Sequence, residues 1–253
     1  MNLRRVSVAV PQARGEQARA VMLELFPEGF EELDSNGALE LVAYTNSAGE
    51  ERIWQAFGGA ASAADVDDDW EERWRQFHRP QRVGSLWIGP PWERPDADAI
   101  PVVIDPGRAF GTGGHATTRL CLQLLEAEER GSVLDVGCGS GVLSIAASKL
   151  GFAPVRGLDF DPQAVEATER NAAVNGVEIE VRLGDIRDAE LPDADLALAN
   201  IAGDAVGSLG PRLRAPRAIT SGYLVSDDPV LAGYRLERRV QSDGWAADLH
   251  LRD

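Results

Sequence analysis

Of the 253 residues only two are cysteines, Cys121 and Cys138, and a single lysine, Lys149, is present. Two thiols in unrelated contexts are too few for a zinc cluster and suggest no disulfide framework, so both are expected to be free. No stretch approaches the run of eighteen or more apolar residues that crosses a bilayer as a helix. Residues 1–30 lack the uninterrupted apolar core of a signal peptide, since Arg4 and Arg5 are followed by mixed polar and apolar residues. A cytoplasmic protein without membrane association is expected. Basic charge is also scarce: 25 lysines and arginines stand against 41 acids, a formal net charge of −16. Such a chain is poorly suited to gripping a phosphate backbone, and direct nucleic-acid binding is not expected. A basic protein partner suits it better, through long-range attraction. The preference for arginine over lysine is a habit of composition and marks no site. Internal repeats and low-complexity segments are absent.

What is there begins with a small α+β pattern. "LRRVSVAV" alternates and is rich in valine, as a strand would be. "QARGEQARAVMLELF" then sets Ala18, Val21, Met22 and Leu25 on one helix face. "GFEELD" and "ALELVAY" read as strands about a turn at Ser35-Asn36-Gly37. "EERIWQAF" reads as a second helix, with a last short strand near 63–66. The order βαββαβ predicts a ferredoxin-like domain over residues 1–66 that contains no chemical motif. Residues 67–98 read as a linker. Its acidic start favours a helix that sets Trp70, Trp74 and Phe77 on one face, better suited to packing than to binding, and Pro80, Pro90, Pro91 and Pro95 then interrupt it.

From residue 99 strand and helix patterns alternate: "AIPVVID", "TTRLCLQLLEAEE", "SVLDVG", "GVLSIAASKLG", "PVRGLDF", "PQAVEATERNAAVNG", "EIEVRLGD", "ADLALANI". A helix near 204–214, the strand "AITSGYL", a brief helical turn and two last strands, "YRLERRVQ" and "WAADLHLR", complete the series. The pattern predicts an α/β domain over 99–253: a doubly wound, mostly parallel sheet with an antiparallel hairpin at one edge, turning at Ser242-Asp243-Gly244.

"GSVLDVGCGSG" carries the strongest signal: three glycines, Gly137, Gly139 and Gly141, at every second position after a strand that contains Asp135. Glycine costs backbone entropy, so such a run needs a reason. A tight turn is one, and a loop cleared of side chains for a cofactor is another. The spacing is Gly-x-Gly-x-Gly rather than the Gly-x-Gly-x-x-Gly of dinucleotide sites, and the nearby carboxylate suits an ammonium group better than a pyrophosphate. This favours S-adenosylmethionine over a nucleotide. Asp159, 22 residues beyond Gly137, can accept both ribose hydroxyls and fits NAD equally well. Asp161 before Pro162 reads as a helix cap. Asp185 after the third strand could reach an adenine amino group or serve as a loop acid. Asn200 ends the fourth strand, where the reacting atoms should meet.

Taken together, "AFGTGGHATT", "VLDVGCGSG", "GLDFDP" and "NIAG" resemble the PrmA family, class I methyltransferases that modify protein eleven of the large ribosomal subunit. The resemblance covers nearly the whole chain, and Phe-Gly-Thr-Gly-x-His-x-Thr-Thr is its most specific motif. It implies a class I, Rossmann-like domain and a site in which Thr118, Gly137, Asp159 and Asn200 bind the cofactor S-adenosyl-L-methionine; the reading of the loop and strand ends adds Asp135, Gly139 and Asp185 to the cofactor-binding set. Thr112 and Asn200 would be catalytic and Phe110 would position the substrate. The partner it implies is a large-subunit ribosomal protein, methylated on lysine side chains and/or its N-terminal amine, with the N-terminal domain recognising it. The chain departs from the family's usual pattern at Ala202, where leucine is usual, at Ala116, where proline is common, and in a shorter segment after "SGYL". Methyl transfer needs a positioned neutral nitrogen more than a general base, so His115 is expected to fix its loop by hydrogen bonding. An NAD-dependent oxidoreductase, a methyltransferase of another protein or a small amine, and a non-catalytic ribosome-associated module remain the alternatives.

Overall fold

The computed structural model describes residues 4–26, 30–35, 38–65, 79–105 and 113–253. The expected turn at Asn36-Gly37, the helix carrying Trp70, Trp74 and Phe77, and the positions Phe110 and Thr112 lie outside the described residues. The chain divides into two compact units, Met1–Phe77 and His78–Asp253.

In the first unit, β1 (Arg4–Pro11), α1 (Gly15–Leu25), β2 (Glu31–Ser35), β3 (Ala38–Thr45), α2 (Ser47–Phe57) and β4 (Ala61–Asp65) follow the βαββαβ order. The strands pair antiparallel in the order β2-β3-β1-β4, the ferredoxin-like arrangement expected. Alternation dictates the core: Val6, Val8 and Val10 of β1 and Leu39 and Leu41 of β3 meet Ala18 and Met22 of α1 and Ile53 of α2. Asn46 starts α2, its Oδ1 accepting from the N–H groups of Ala48 and Gly49 at 3.0 Å each.

The second unit opens with strands that the sequence conceals. Residues 81–89, expected within the linker, form β5 (Gln81–Val83) and β6 (Leu86–Gly89). Leu86, Trp87 and Ile88 are buried, and the prolines fall outside these strands, Pro80 before β5 and Pro90, Pro91 and Pro95 in the loop after β6. β7 (Ile100–Val103) pairs parallel with β6, so the first strand expected of the main sheet belongs instead to a separate sheet of order β5-β6-β7.

The main sheet contains β8 (Val133–Val136), β9 (Val155–Asp159), β10 (Glu180–Leu183), β11 (Leu196–Asn200), β12 (Arg217–Leu224), β13 (Tyr234–Ser242) and β14 (Trp245–Arg252). Their order is β10-β9-β8-β11-β12-β14-β13, with the first five parallel and the last two forming the antiparallel hairpin expected. The helices are α3 (Ala116–Glu126), α4 (Val142–Lys149), α5 (Pro162–Asn175) and α6 (Gly203–Leu209). Successive residues contribute to opposite faces: Leu196, Leu198 and Ile219 join one apolar cluster with α3, α4 and β7, while Ala197, Ala199 and Ala218 join another with α6. The second face has less helix than expected. α6 stops at Leu209, because Pro211 removes a helix donor, and a Cβ on Gly210 would lie 2.4–3.0 Å from the Ala232 backbone packed against it. No helix stands between β12 and β13. That edge is tied by polar groups instead: buried Asp248 accepts from Arg239 Nε and Nη2 at 2.7 Å each and from the Tyr223 hydroxyl at 3.0 Å.

Candidate active site

The carboxyl ends of β8, β9 and β11 converge at the switch point of the sheet, where open α/β sheets bind ligands. β11 pairs with β8 so that Leu198 stands opposite Asp135, which brings Asn200, two residues on, beside the glycine loop.

The loop needs its glycines. Gly137 (φ 74°) and Gly141 (φ 81°) both lie in the left-handed region. A Cβ on Gly137 would come within 2.6 Å of the Ile201 side chain, and one on Gly141 within 3.2 Å of the Thr168 backbone. The N–H groups of Gly137 and Cys138 both donate to the Leu158 carbonyl, at 2.8 and 3.1 Å, which fastens the loop to the end of β9. Cys121 and Cys138 are free and buried, as expected, and burial pushes both thiols far up from their ordinary range.

Asp159 holds two loops at once. Its Oδ2 accepts from Gly139 N–H at 2.9 Å and its Oδ1 from Asp161 N–H at 3.0 Å. A carboxylate has about four lone-pair sites, so capacity remains for further donors. Asp161 caps α5 as expected, its Oδ1 accepting from Gln163 N–H at 2.8 Å with Pro162 in the first turn. Asp135 is fully buried. Its Oδ2 accepts from the Ser144 hydroxyl at 2.6 Å, while Oδ1 has no hydrogen-bond partner among the described residues. Burial pushes its pKa up to about 7, the Asp159 charge adds to the rise, and Ser144 opposes it.

Thr118, in the first turn of α3, is buried and lies 3.4 Å from Asn200, whose Nδ2 donates to its Oγ1. Two expected site residues from distant parts of the chain thus touch. His115 is the N-cap of α3: its Nδ1 accepts from Thr117 N–H at 3.4 Å and lies 2.7 Å from Thr117 Oγ1. Its ring meets Trp245 edge-on, 4.8 Å between centroids. Burial, and then the Arg119 charge, lower its pKa, so it is a neutral acceptor at pH 7. This is the loop-fixing use expected of it.

Asp185 is differently occupied. Its carboxylate accepts from Arg187 Nε at 2.9 Å, from Arg187 Nη2 at 2.5 Å and from Arg187 N–H at 2.9 Å, which holds its pKa down to about 2. Arg187 thus occupies much of the Asp185 carboxylate. Phe160, between the two aspartates of "DFD", is 73% exposed. Neither it nor Ser144 is among the residues picked out by sequence, although a bare aromatic beside Asp159 and a serine inside the apolar "VLSIAAS" are visible there in retrospect.

The family model described as ribosomal protein L11 methyltransferase (PrmA) matches residues 18–246. The chain belongs to this family. Curated relatives carrying that description include one from Symbiobacterium thermophilum, 39% identical over 192 residues that cover 74% of this chain and 63% of the relative. Another, from Pseudomonas aeruginosa, is 47% identical over 196 residues, covering 71% of this chain and 66% of the relative. The matches to this PrmA chain therefore span slightly less than two thirds of those relatives' lengths. Among solved structures, a ribosomal protein L11 methylase from Lactobacillus delbrueckii subsp. bulgaricus superposes with a TM-score of 0.63 at 27% identity, covering 70% of this chain and 99% of that one. The α/β unit of this PrmA chain accordingly has the class I methyltransferase, Rossmann-like fold.

Proposed function

We propose that this chain is an S-adenosylmethionine-dependent protein N-methyltransferase whose substrate is a large-subunit ribosomal protein, protein L11, modified on lysine side chains and/or its N-terminal amine. The carrying observation is the contact between Thr118 and Asn200 beside a glycine loop flanked by Asp135 and Asp159. These residues suit the cofactor. The loop carries no side chain at Gly137, Gly139 and Gly141, and Asp135 Oδ1 is a buried acceptor without a donor among the described residues, fitted to an ammonium group. Asp159 keeps lone pairs for ribose hydroxyls, and Thr118 and Gly137 flank the methionyl part. Asp185 reaches an adenine amino group only by sharing its carboxylate with Arg187. When bound, the cofactor supplies an electrophilic methyl group on sulfur.

The protein's task is then to position a neutral nitrogen in line with that methyl group. Because the Asn200 amide donates to Thr118 through Nδ2, its carbonyl oxygen is left to accept a proton of the incoming amine and so aim the lone pair. A free lysine amine has a pKa of about 10.4, which burial beside a cationic centre lowers, and water removes the proton. His115 is engaged with Thr117 and takes no part in the proton transfer. Thr112 and Phe110 complete the assignment as catalytic and substrate-positioning residues. Residues 1–66 select the protein substrate, and the unit from His78 onward, which includes the strands of 81–89, carries the methyl transfer. The acidic surface suits a basic protein, without direct nucleic-acid contact, in the cytoplasm.

A titration discriminates this reading from its enzymatic rival. The chain should bind S-adenosylhomocysteine and not NAD; binding of NAD alone would move it to the oxidoreductases.

A further inference from the structure

α5 carries a row of polar residues, Thr168, Asn171 and Asn175, and all three are buried. Asparagine is a poor helix former, and burial obliges its amide to find partners. Asn175 uses its amide as a neighbouring strand would. Its Oδ1 accepts from Val103 N–H at 2.9 Å, and its Nδ2 donates to the carbonyls of Val103 at 2.6 Å and Asn171 at 2.8 Å. It holds β7 to α5 and touches nothing of the glycine loop. Asn171 divides its amide between two segments. Its Oδ1 accepts from Asp105 N–H at 3.1 Å, and its Nδ2 donates to the Ser140 carbonyl at 2.9 Å. Thr168 donates to the adjoining Gly139 carbonyl at 3.0 Å. Two successive peptide planes of the glycine loop are thus fixed by α5, and Asn171 also bonds the chain leaving β7.

We propose that Asn171 is a positioning residue for the cofactor site, one side chain that sets the glycine loop against the segment leaving β7. This inference rests on the methyltransferase reading. A held carbonyl fixes its whole peptide plane, and with it the neighbouring N–H, because the unit is rigid. Loss of the Asn171 amide therefore loosens the Ser140–Gly141 peptide plane, which continues the loop from Gly137 and Gly139, whereas loss of the Asn175 amide loosens only β7.

The test uses the full chain and S-adenosylhomocysteine. Asn171→Ala and Asn175→Ala each strip a buried amide and lower the melting temperature by similar amounts. By calorimetry, Asn171→Ala weakens binding about tenfold, the change that corresponds to about 1.4 kcal/mol, while Asn175→Ala leaves the affinity within about twofold. Asn171→Asp keeps the shape and the acceptor for Asp105 but loses the donor to Ser140, and it shows the same loss of affinity even if the alanine variant unfolds. In the unaltered chain bound ligand slows hydrogen exchange at the Asp105 amide, and Asn171→Ala abolishes that response at saturating ligand. Equal effects of the 171 and 175 variants on affinity, or an Asp105 amide indifferent to ligand in the unaltered chain, would overturn the positioning role alone. Failure of the unaltered chain to bind at all would overturn the methyltransferase reading, and this inference with it.

Discussion

Two aspartates at the mouth of one glycine loop are given opposite surroundings, and their chemistry follows from that. Asp159 is ringed by backbone donors from two loops, so removing it should cost the cofactor a charge-assisted pair of hydrogen bonds. Asp159→Ala is predicted to weaken S-adenosylmethionine binding by roughly 1.5–3 kcal/mol in calorimetry. Asp135 is sealed from water, and its pKa rises from an ordinary 3.8 to about 7. A raised carboxyl pKa means that the protonated form is favoured by folding. This share of stability is full below pH 4 and is lost as pH rises through about 7. Thermal melts of the free protein should carry this slope, and Asp135→Asn should remove it. The ionised form is the one that attracts an ammonium group, so cofactor affinity should rise with pH through about 7 in the unaltered chain and stay flat in Asp135→Asn. Asn200 is assigned to the amine more than to the cofactor. Asn200→Ala should therefore lower turnover further than it lowers cofactor affinity, and equal losses would contradict the role.

Elements place these residues, and some of the placement depends on what a strand or helix may not carry. At Gly222 (φ 105°) an added Cβ would lie 2.1 Å from the Ile201 carbonyl oxygen, next to Asn200. Gly222→Ala is predicted to destabilise the protein by about 1–3 kcal/mol in urea denaturation and to disturb turnover as well, since the end of β12 shifts against the end of β11. Much at this scale was legible in the sequence. Valine alternation marks β1, "SDG" marks the hairpin turn in which Asp243 and Gly244 both take positive φ, and glycines after "VLD" mark the loop at the end of β8. What was hidden is pairing. A strand pattern does not name its partner, so β7 reads like a member of the main sheet. Four prolines made 67–98 look like pure linker although "LWI" within it is a core strand. Asn171 does not stand out in the sequence, because an asparagine in mid-helix usually faces water and only tertiary structure reveals what its amide touches.

For the molecule as a whole, the chemistry is concentrated in one of two units, and the other offers a core without reactive groups. A small amine could be enclosed by a pocket alone, so an added domain is best explained by a large substrate. A fragment beginning near residue 67 is predicted to keep S-adenosylmethionine binding and to lose most methylation of the protein substrate. Methylation by the folded fragment at the full rate would remove the recruitment role from residues 1–66. The central claim, that this site passes a methyl group to a large-subunit ribosomal protein, is tested most directly by incubating the full chain with radiolabelled S-adenosylmethionine and undermethylated ribosomes, then locating the label by peptide mass spectrometry. Label on lysine side chains or the N-terminal amine of protein L11, lost in Asn200→Ala, is the predicted result. Ribosomes left unlabelled by a chain that binds the cofactor would contradict it.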